Sequence, residues 1–134
     1  MIKKYKMFIE NISNDERLMS NIKSALIDLD DIGYHTKTVD ATVNIGIQIK
    51  NNNNSLGVYS PSSLNTINET DVSDTINSII DFLKISGIHD ILFSYTYTIN
   101  NYGREEKIRS KKLEFKNRPS WKLVTINIFG NKPK

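Results

Sequence analysis

Residues 39–50, VDATVNIGIQIK, alternate apolar and polar side chains without a break. Val39, Ala41, Val43, Ile45, Ile47 and Ile49 fall on one side, and Asp40, Thr42, Asn44, Gln48 and Lys50 on the other. A period of two is the mark of an extended strand with one buried face and one wet face. Strands of a parallel sheet are covered on both faces and read as continuous apolar runs, so this pattern points to an antiparallel or mixed sheet with one side in water. No other feature narrows the fold as much.

The neighbouring segments fit around that strand. KYKMFIE places Tyr5, Met7 and Ile9 on alternate positions and predicts a first strand. SNDERLMSNIKSALIDLDDIG predicts a helix: Ser13 and Glu16 have capping-box spacing, Leu18, Ile22, Ala25, Leu26 and Leu29 make one stripe, and Gly33 suits the C-terminal cap. NNNNS at 51–55 supplies turn residues, and LGVYS is expected to return as a short strand that Pro61 stops. A second helix, capped by Thr70 or Asp71, carries the stripe Val72, Ile76, Ile79, Ile80 and Leu83 and closes at Gly87. DILFSYTYTI then alternates Ile91, Phe93, Tyr95, Tyr97 and Ile99 against Ser94, Thr96 and Thr98, and NNYG reads as a hairpin turn. Strands near 106–116 and 121–129 follow; in the first of them the apolar parity slips between Ile108 and Leu113, which predicts a β-bulge.

Two stretches echo each other, SALIDLDDIGYH and SIIDFLKISGIH, each a helix end, a glycine, an apolar residue and a histidine before a strand. The expectation is an α+β fold, a β-α-β-β-α-β (ferredoxin-like) plan with two helices on one face of a largely antiparallel sheet and an added C-terminal β-hairpin. At 134 residues the chain suits one domain, 1–134, with a flexible tail over 130–134.

Composition removes several chemistries. There is no cysteine, so disulfides, thiolate nucleophiles and thiolate metal sites are excluded. P-loop, dinucleotide, H-E-x-x-H, G-x-S-x-G and EF-hand patterns do not occur, and nothing implies a cofactor. No stretch approaches the roughly 20 apolar residues of a membrane span, and MIKKYKMFIEN lacks a signal-type apolar run, so the expectation is no membrane and a cytoplasmic protein or virion component. The chain holds 16 Asn, 20 Ile and 14 Lys, a bias that fits A/T-rich codons.

Charge is unevenly spread. Residues 1–90 carry 8 basic and 12 acidic side chains, whereas 91–134 carry 10 basic and 3 acidic. Arg104, Lys107, Arg109, Lys111, Lys112, Lys116, Arg118 and Lys122 would line the C-terminal hairpin, and such a ribbon can follow a phosphate backbone, meet an acidic protein or simply be solvated. Asp28, Asp30 and Asp31 form an acidic patch at a helix C-terminus, where they oppose the helix dipole. With His35 nearby they raise the question of a divalent cation, but no second ligand cluster is recognisable, and solvation or a partner is the reading preferred over a metal site. His35 and His89 follow equivalent helix ends, and the dipole there favours histidine without any shared site.

KMFIENIS resembles the first short motif of RNA-recognition domains, but the basic, glycine-rich and aromatic partner motif is missing, since NSLGVYS offers only Gly57 and Tyr59. FIENISNDERLMSNIKSALIDLDDIGYHTKTVDATVNIGIQI resembles small uncharacterised proteins of AT-rich tailed phages, in a likeness that extends over residues 5–90. That resemblance implies phage or mobile-element origin and no activity. The expected function is a non-enzymatic interaction or assembly protein that binds a protein partner or its own copies through the basic hairpin. The alternative is a nucleic-acid-binding protein that uses the same hairpin.

Overall fold

The structure, a computed structural model, describes residues 2–51, 66–99, 104–116 and 118–133, and for residues 2–15 it describes the backbone only. Helix α1 spans Ile2–Asp31, followed by strands β1 (Tyr34–Asp40) and β2 (Asn44–Asn51). Helix α2 spans Glu69–Ile85, and β3 (His89–Ile99), β4 (Arg104–Ser110) and β5 (Trp121–Asn131) complete the chain. The strands form a five-stranded sheet in the order β1-β2-β5-β3-β4, and every pairing is antiparallel. Each helix is thus followed by a hairpin, and β5 lies between the two hairpins.

The α+β class with two helices and an antiparallel sheet holds; the ferredoxin-like order does not. Its first strand, expected over Tyr5, Met7 and Ile9, is part of α1. Tyr5, Phe8, Ile9 and Ile12 also stand at helical spacing, and no Gly or Pro interrupts residues 2–31, so nothing local stops the helix from running on. Ser13 consequently lies inside the helix and not at its N-terminal cap position. The likeness of KMFIENIS to an RNA-recognition strand falls with it.

Both helices end on a glycine with positive φ, Gly33 at 101° and Gly87 at 81°, as the echo predicts. After α2 the Ile88 N–H bonds to the Leu83 carbonyl and Gly87 N–H to that of Lys84, the paired bonds of a Schellman cap. The N-cap of α2 is Asn68, whose side chain accepts from the Thr70 N–H, so the helix starts slightly earlier than a cap at Thr70 or Asp71 would place it.

The alternating segment 39–50 is not one strand. It breaks at 41–43, where the Ala41 N–H bonds to the Asn44 carbonyl and the chain reverses. The Lys132 N–H bonds to the Val43 carbonyl and its ammonium pairs with Asp40, so the turn is held from outside its own sequence. Ile45, Ile47 and Ile49 are buried as expected, but Val39 and Val43 are exposed. The expected bulge near 106–116 is absent as well: β4 ends at Ser110, and the irregularities lie in the β3–β5 pairing, near Asp90–Ile91 and opposite Val124. From 130 onward the chain does not leave the sheet at once, since Gly130 and Asn131 belong to β5. The LGVYS strand and the NNYG turn lie outside the described residues.

One core joins Leu18, Ile22, Leu26 and Leu29 of α1 and Val72, Ile76, Ile79 and Leu83 of α2 to the inner face of the sheet. After β4 the segment 111–116 passes over the hydroxyls of Tyr95 and Tyr97. Tyr95 Oη donates to the Lys112 carbonyl at 3.1 Å and accepts from the Glu114 N–H at 2.9 Å, and Tyr97 Oη accepts from the Lys116 N–H at 2.9 Å. Leu113 and Phe115 pack on the core from this segment, with the Phe115 ring 5.8 Å from that of Tyr95.

Candidate binding face of the sheet

Directly opposed residues of paired strands share a face, so the register reads out the side of the sheet that faces away from the helices. One row across all five strands is Lys37, Gln48, Asn127, Ser94 and Arg109. The row beside it is His35, Lys50, Thr125, Thr96 and Lys107. Lys122, opposite Thr98, stands beyond that row. Lys37 and His35 therefore stand on the β1 margin, Lys107 and Arg109 with Glu105 on the β4 margin and Lys50 one strand in from β1, while short hydroxyls and amides occupy the middle. At about 4.8 Å per strand the face is about 19 Å wide from β1 to β4.

A third row differs from these: Val39, Gly46, Phe129 and Leu92. Phe129, on the central strand, is 46% exposed and Val39 is 51% exposed. Together with polar neighbours they line a shallow depression of about 550 Å³. Phe129 leans over Gly46, with two ring carbons 3.5 and 3.6 Å from where a Cβ on that glycine would stand.

At the rim of the depression Asp90 holds a φ of 54°, the one positive value among the described non-glycine residues. Asp tolerates this region better than most side chains, and the residue sits where β3 slips register against β5. His89 Nδ1 lies 3.0 Å from Asp90 Oδ2, and Asn131 Nδ2 donates to the same oxygen at 3.4 Å. The His89 hydrogen bond, and after it that from Asn131, holds the Asp90 carboxyl below its ordinary pKa, so the group is ionised at neutral pH.

The eight basic residues expected on one hairpin surface separate in three dimensions. Lys107, Arg109 and Lys122 share the free face; Arg104 has the opposite parity, opposed to Ile99. Lys111 and Lys112 are exposed at the bend after β4, and Lys111 is near enough to Asp90 to help hold its carboxyl ionised. Lys116 and Arg118 belong to the segment that returns to β5, where the Arg118 guanidinium stacks 4.6 Å above the Trp121 ring. Lys37, Lys50, Asn127 and Phe129 are members of the face that the linear sequence does not group with the hairpin. The outward parity of Gln48 and Lys50 is legible in the alternation, but the pairing that brings them beside Asn127 and Thr125 is not.

Asp28, Asp30 and Asp31 are exposed on the last turn of α1, and Asp30 Oδ1 accepts from Thr36 Oγ1 at 3.0 Å. Among the described residues, no three His, Asp or Glu side chains come together as a metal-binding group. His35 and His89 are not neighbours either, because β2 and β5 lie between their strands, and they are paired with Lys50 and Asn131 near opposite ends of the sheet. No helix among the described residues is long and apolar enough to cross a membrane.

The helical layer has the opposite charge from the free face. Residues 16–31 carry Glu16, Asp28, Asp30 and Asp31 against Arg17 and Lys23, and α2 carries Glu69, Asp71, Asp74 and Asp81 against Lys84. No protein-family model, curated protein or solved structure matches the chain.

Proposed function

We propose that this is a non-enzymatic binding protein, phage- or mobile-element-encoded, that lays a single-stranded nucleic acid across the free face of its sheet. The observation that carries the reading is the arrangement of that face: Lys37 on edge strand β1 with Lys50 one strand in, Lys107 and Arg109 on edge strand β4, and Gln48, Asn127, Ser94 and Thr125 between them. Cations at the margins suit phosphates, and the neutral middle offers donors and acceptors to base edges. A duplex fits less well, because its major groove admits a helix or a two-stranded ribbon and this face is five strands broad. The acidic helices lie on the far side, where they repel the strand least.

Fluorescence anisotropy with a labelled 12-nucleotide strand, read from low to high salt, tests the reading. The expected result is binding at low salt whose logarithm falls linearly with the logarithm of salt concentration. Changing Lys37, Lys107 and Arg109 to Ala should weaken binding to every sequence alike and reduce that slope by about 0.7 for each phosphate that is no longer neutralised. No binding at low salt sinks the reading.

A second reading, self-assembly, is favoured by one observation: the acidic end of α1 adjoins edge strand β1, and the basic residues of β4 and its bend occupy the opposite edge. A head-to-tail contact between copies would join the two. Sedimentation of the free protein separates the readings, since a salt-sensitive rise in mass with concentration belongs to assembly alone.

A further inference from the structure

We infer that the depression around Phe129 seats one unpaired base and that Asp90 at its rim selects guanine. The inference rests on the nucleic-acid reading above and adds a site and a base preference to it.

The floor is an apolar island in a polar face. Phe129, Val39, Leu92 and the bare backbone of Gly46 lie side by side, with Lys37 and Asp90 also lining the depression. An aromatic ring left 46% exposed on the central strand is not needed for the core, which lies on the other side of the sheet. The island spans three strand spacings, about 14 Å from Val39 to Leu92, small for a stable protein interface but with room for a base, which has an apolar face and polar edges. The Phe129 ring leans over Gly46, 3.5 Å from where a Cβ there would stand, so no side chain fills the space beneath it. Lys37 belongs to the adjoining row, within reach of the phosphates that flank such a base.

Asp90 breaks the pattern of its surroundings. A carboxylate on a phosphate-binding face weakens binding unless it makes a contact of its own. Among the described residues both of its hydrogen bonds fall on Oδ2, and Oδ1 takes none. A carboxylate accepts two parallel donors side by side, here on the free Oδ1 and on Oδ2 in place of the long 3.4 Å bond from Asn131. Guanine offers that pair on its Watson–Crick edge, the N1 hydrogen and the 2-amino group. Adenine and cytosine offer an amino group beside an acceptor nitrogen, and uracil or thymine a single N–H between two carbonyls, which a carboxylate repels.

The test compares labelled thymidine 12-mers with guanine, hypoxanthine or adenine at one central position, at fixed low salt, for the wild-type protein, Asp90→Asn and Phe129→Ala. Both side chains are substantially exposed, and circular dichroism with thermal melting confirms that the variants fold. The expected wild-type result is guanine bound about tenfold tighter than hypoxanthine or adenine, within the range of one bidentate contact. Asp90→Asn should erase that preference, so that the three strands bind alike. Phe129→Ala should weaken all strands about tenfold, as removal of one stacking platform does, with the salt slope unchanged. If all strands bind the wild-type protein equally and Phe129→Ala binds as the wild type does, the base seat is wrong and the phosphate-binding face stands. If no strand binds even at low salt, the face and the seat fall together.

Discussion

The same five strands present two unlike faces. Toward the helices, Ile45, Ile47, Ile49, Phe93, Tyr95, Tyr97, Ile126 and Ile128 are each 2% exposed or less. On the other side their immediate neighbours are amides, hydroxyls, Lys50, Gly46, Leu92 and one exposed phenylalanine. Because the pleat sends successive side chains to opposite sides, stability and contact chemistry are written into alternate letters of one strand. The division also makes a physical claim: substitutions on the inner face should cost folding energy, and those on the free face should cost binding.

The largest expected effect lies in two adjacent residues of β5. Ile126→Ala removes a fully buried side chain at the centre of the sheet and should destabilise the protein by about 2–5 kcal/mol, the forfeited transfer energy plus a cavity. Asn127→Ala, one residue on and facing out, should change stability by about 0.5 kcal/mol or less. Urea denaturation of both variants checks this. Equal losses would mean that the outer face is covered in solution and that the two-face description is wrong.

The glycines sharpen the same contrast. A Cβ at Gly130 would stand 2.3 Å from Ile88 Cγ2, so Gly130→Ala must displace packed core atoms and should cost about 1–3 kcal/mol. At Gly46 the nearest atoms are those of the Phe129 ring at 3.5 Å, an ordinary contact. Gly46→Ala should therefore leave the melting temperature unchanged or raise it slightly, because a strand glycine carries an entropic cost. If the seat for a base is as inferred, the added methyl should still perturb single-strand binding.

Much of the inner face is legible in the sequence. The α2 stripe, its glycine end and the buried parity of Phe93, Tyr95 and Tyr97 follow from local periodicity, which is a property of a few consecutive residues. The turn at 41–43 is not legible, because Ala-Thr-Val contains no turn-forming residue and the alternation runs straight through it. What holds it, the bonds of Val43 and Asp40 with Lys132, comes from the far end of the chain. The α1 start fails for a different reason, as Tyr5, Phe8, Ile9 and Ile12 satisfy part of a strand pattern and a helical one together. The candidate face is misgrouped in a linear reading because proximity in sequence stands in for proximity in space. Lys107 and Arg109 have their partners in Ser94, Thr96, Asn127, Thr125, Gln48 and Lys50 through pairings that join residues far apart in the chain, and no local pattern encodes those.

A loss smaller than those at Ile126 and Gly130 is expected at the place where the two faces are mechanically linked. Tyr95 points into the core, yet its hydroxyl holds the backbone of Lys112 and Glu114, in the segment that carries Lys111 and Lys112 past the sheet edge. Burial pushes the Tyr95 pKa up to about 12, and that of Tyr34 likewise. An unfolded tyrosine titrates near pH 10, so between about pH 10 and 12 the folded state binds more protons than the unfolded one. Stability from the buried rings is thus fully present below pH 10 and declines as pH rises through that window. Tyr95→Phe should cost about 0.5–1.5 kcal/mol at neutral pH through the missing hydrogen bonds and should make the alkaline decline shallower, with Tyr34 and Tyr97, both also raised by burial, supplying the remainder. Melting temperatures from pH 8 to 11.5, followed alongside tyrosinate absorbance, measure both effects. If every tyrosine ionised near pH 10 while the fold stayed intact, Tyr95 would be open to water, and the segment bearing Lys111 and Lys112 would not be anchored through it.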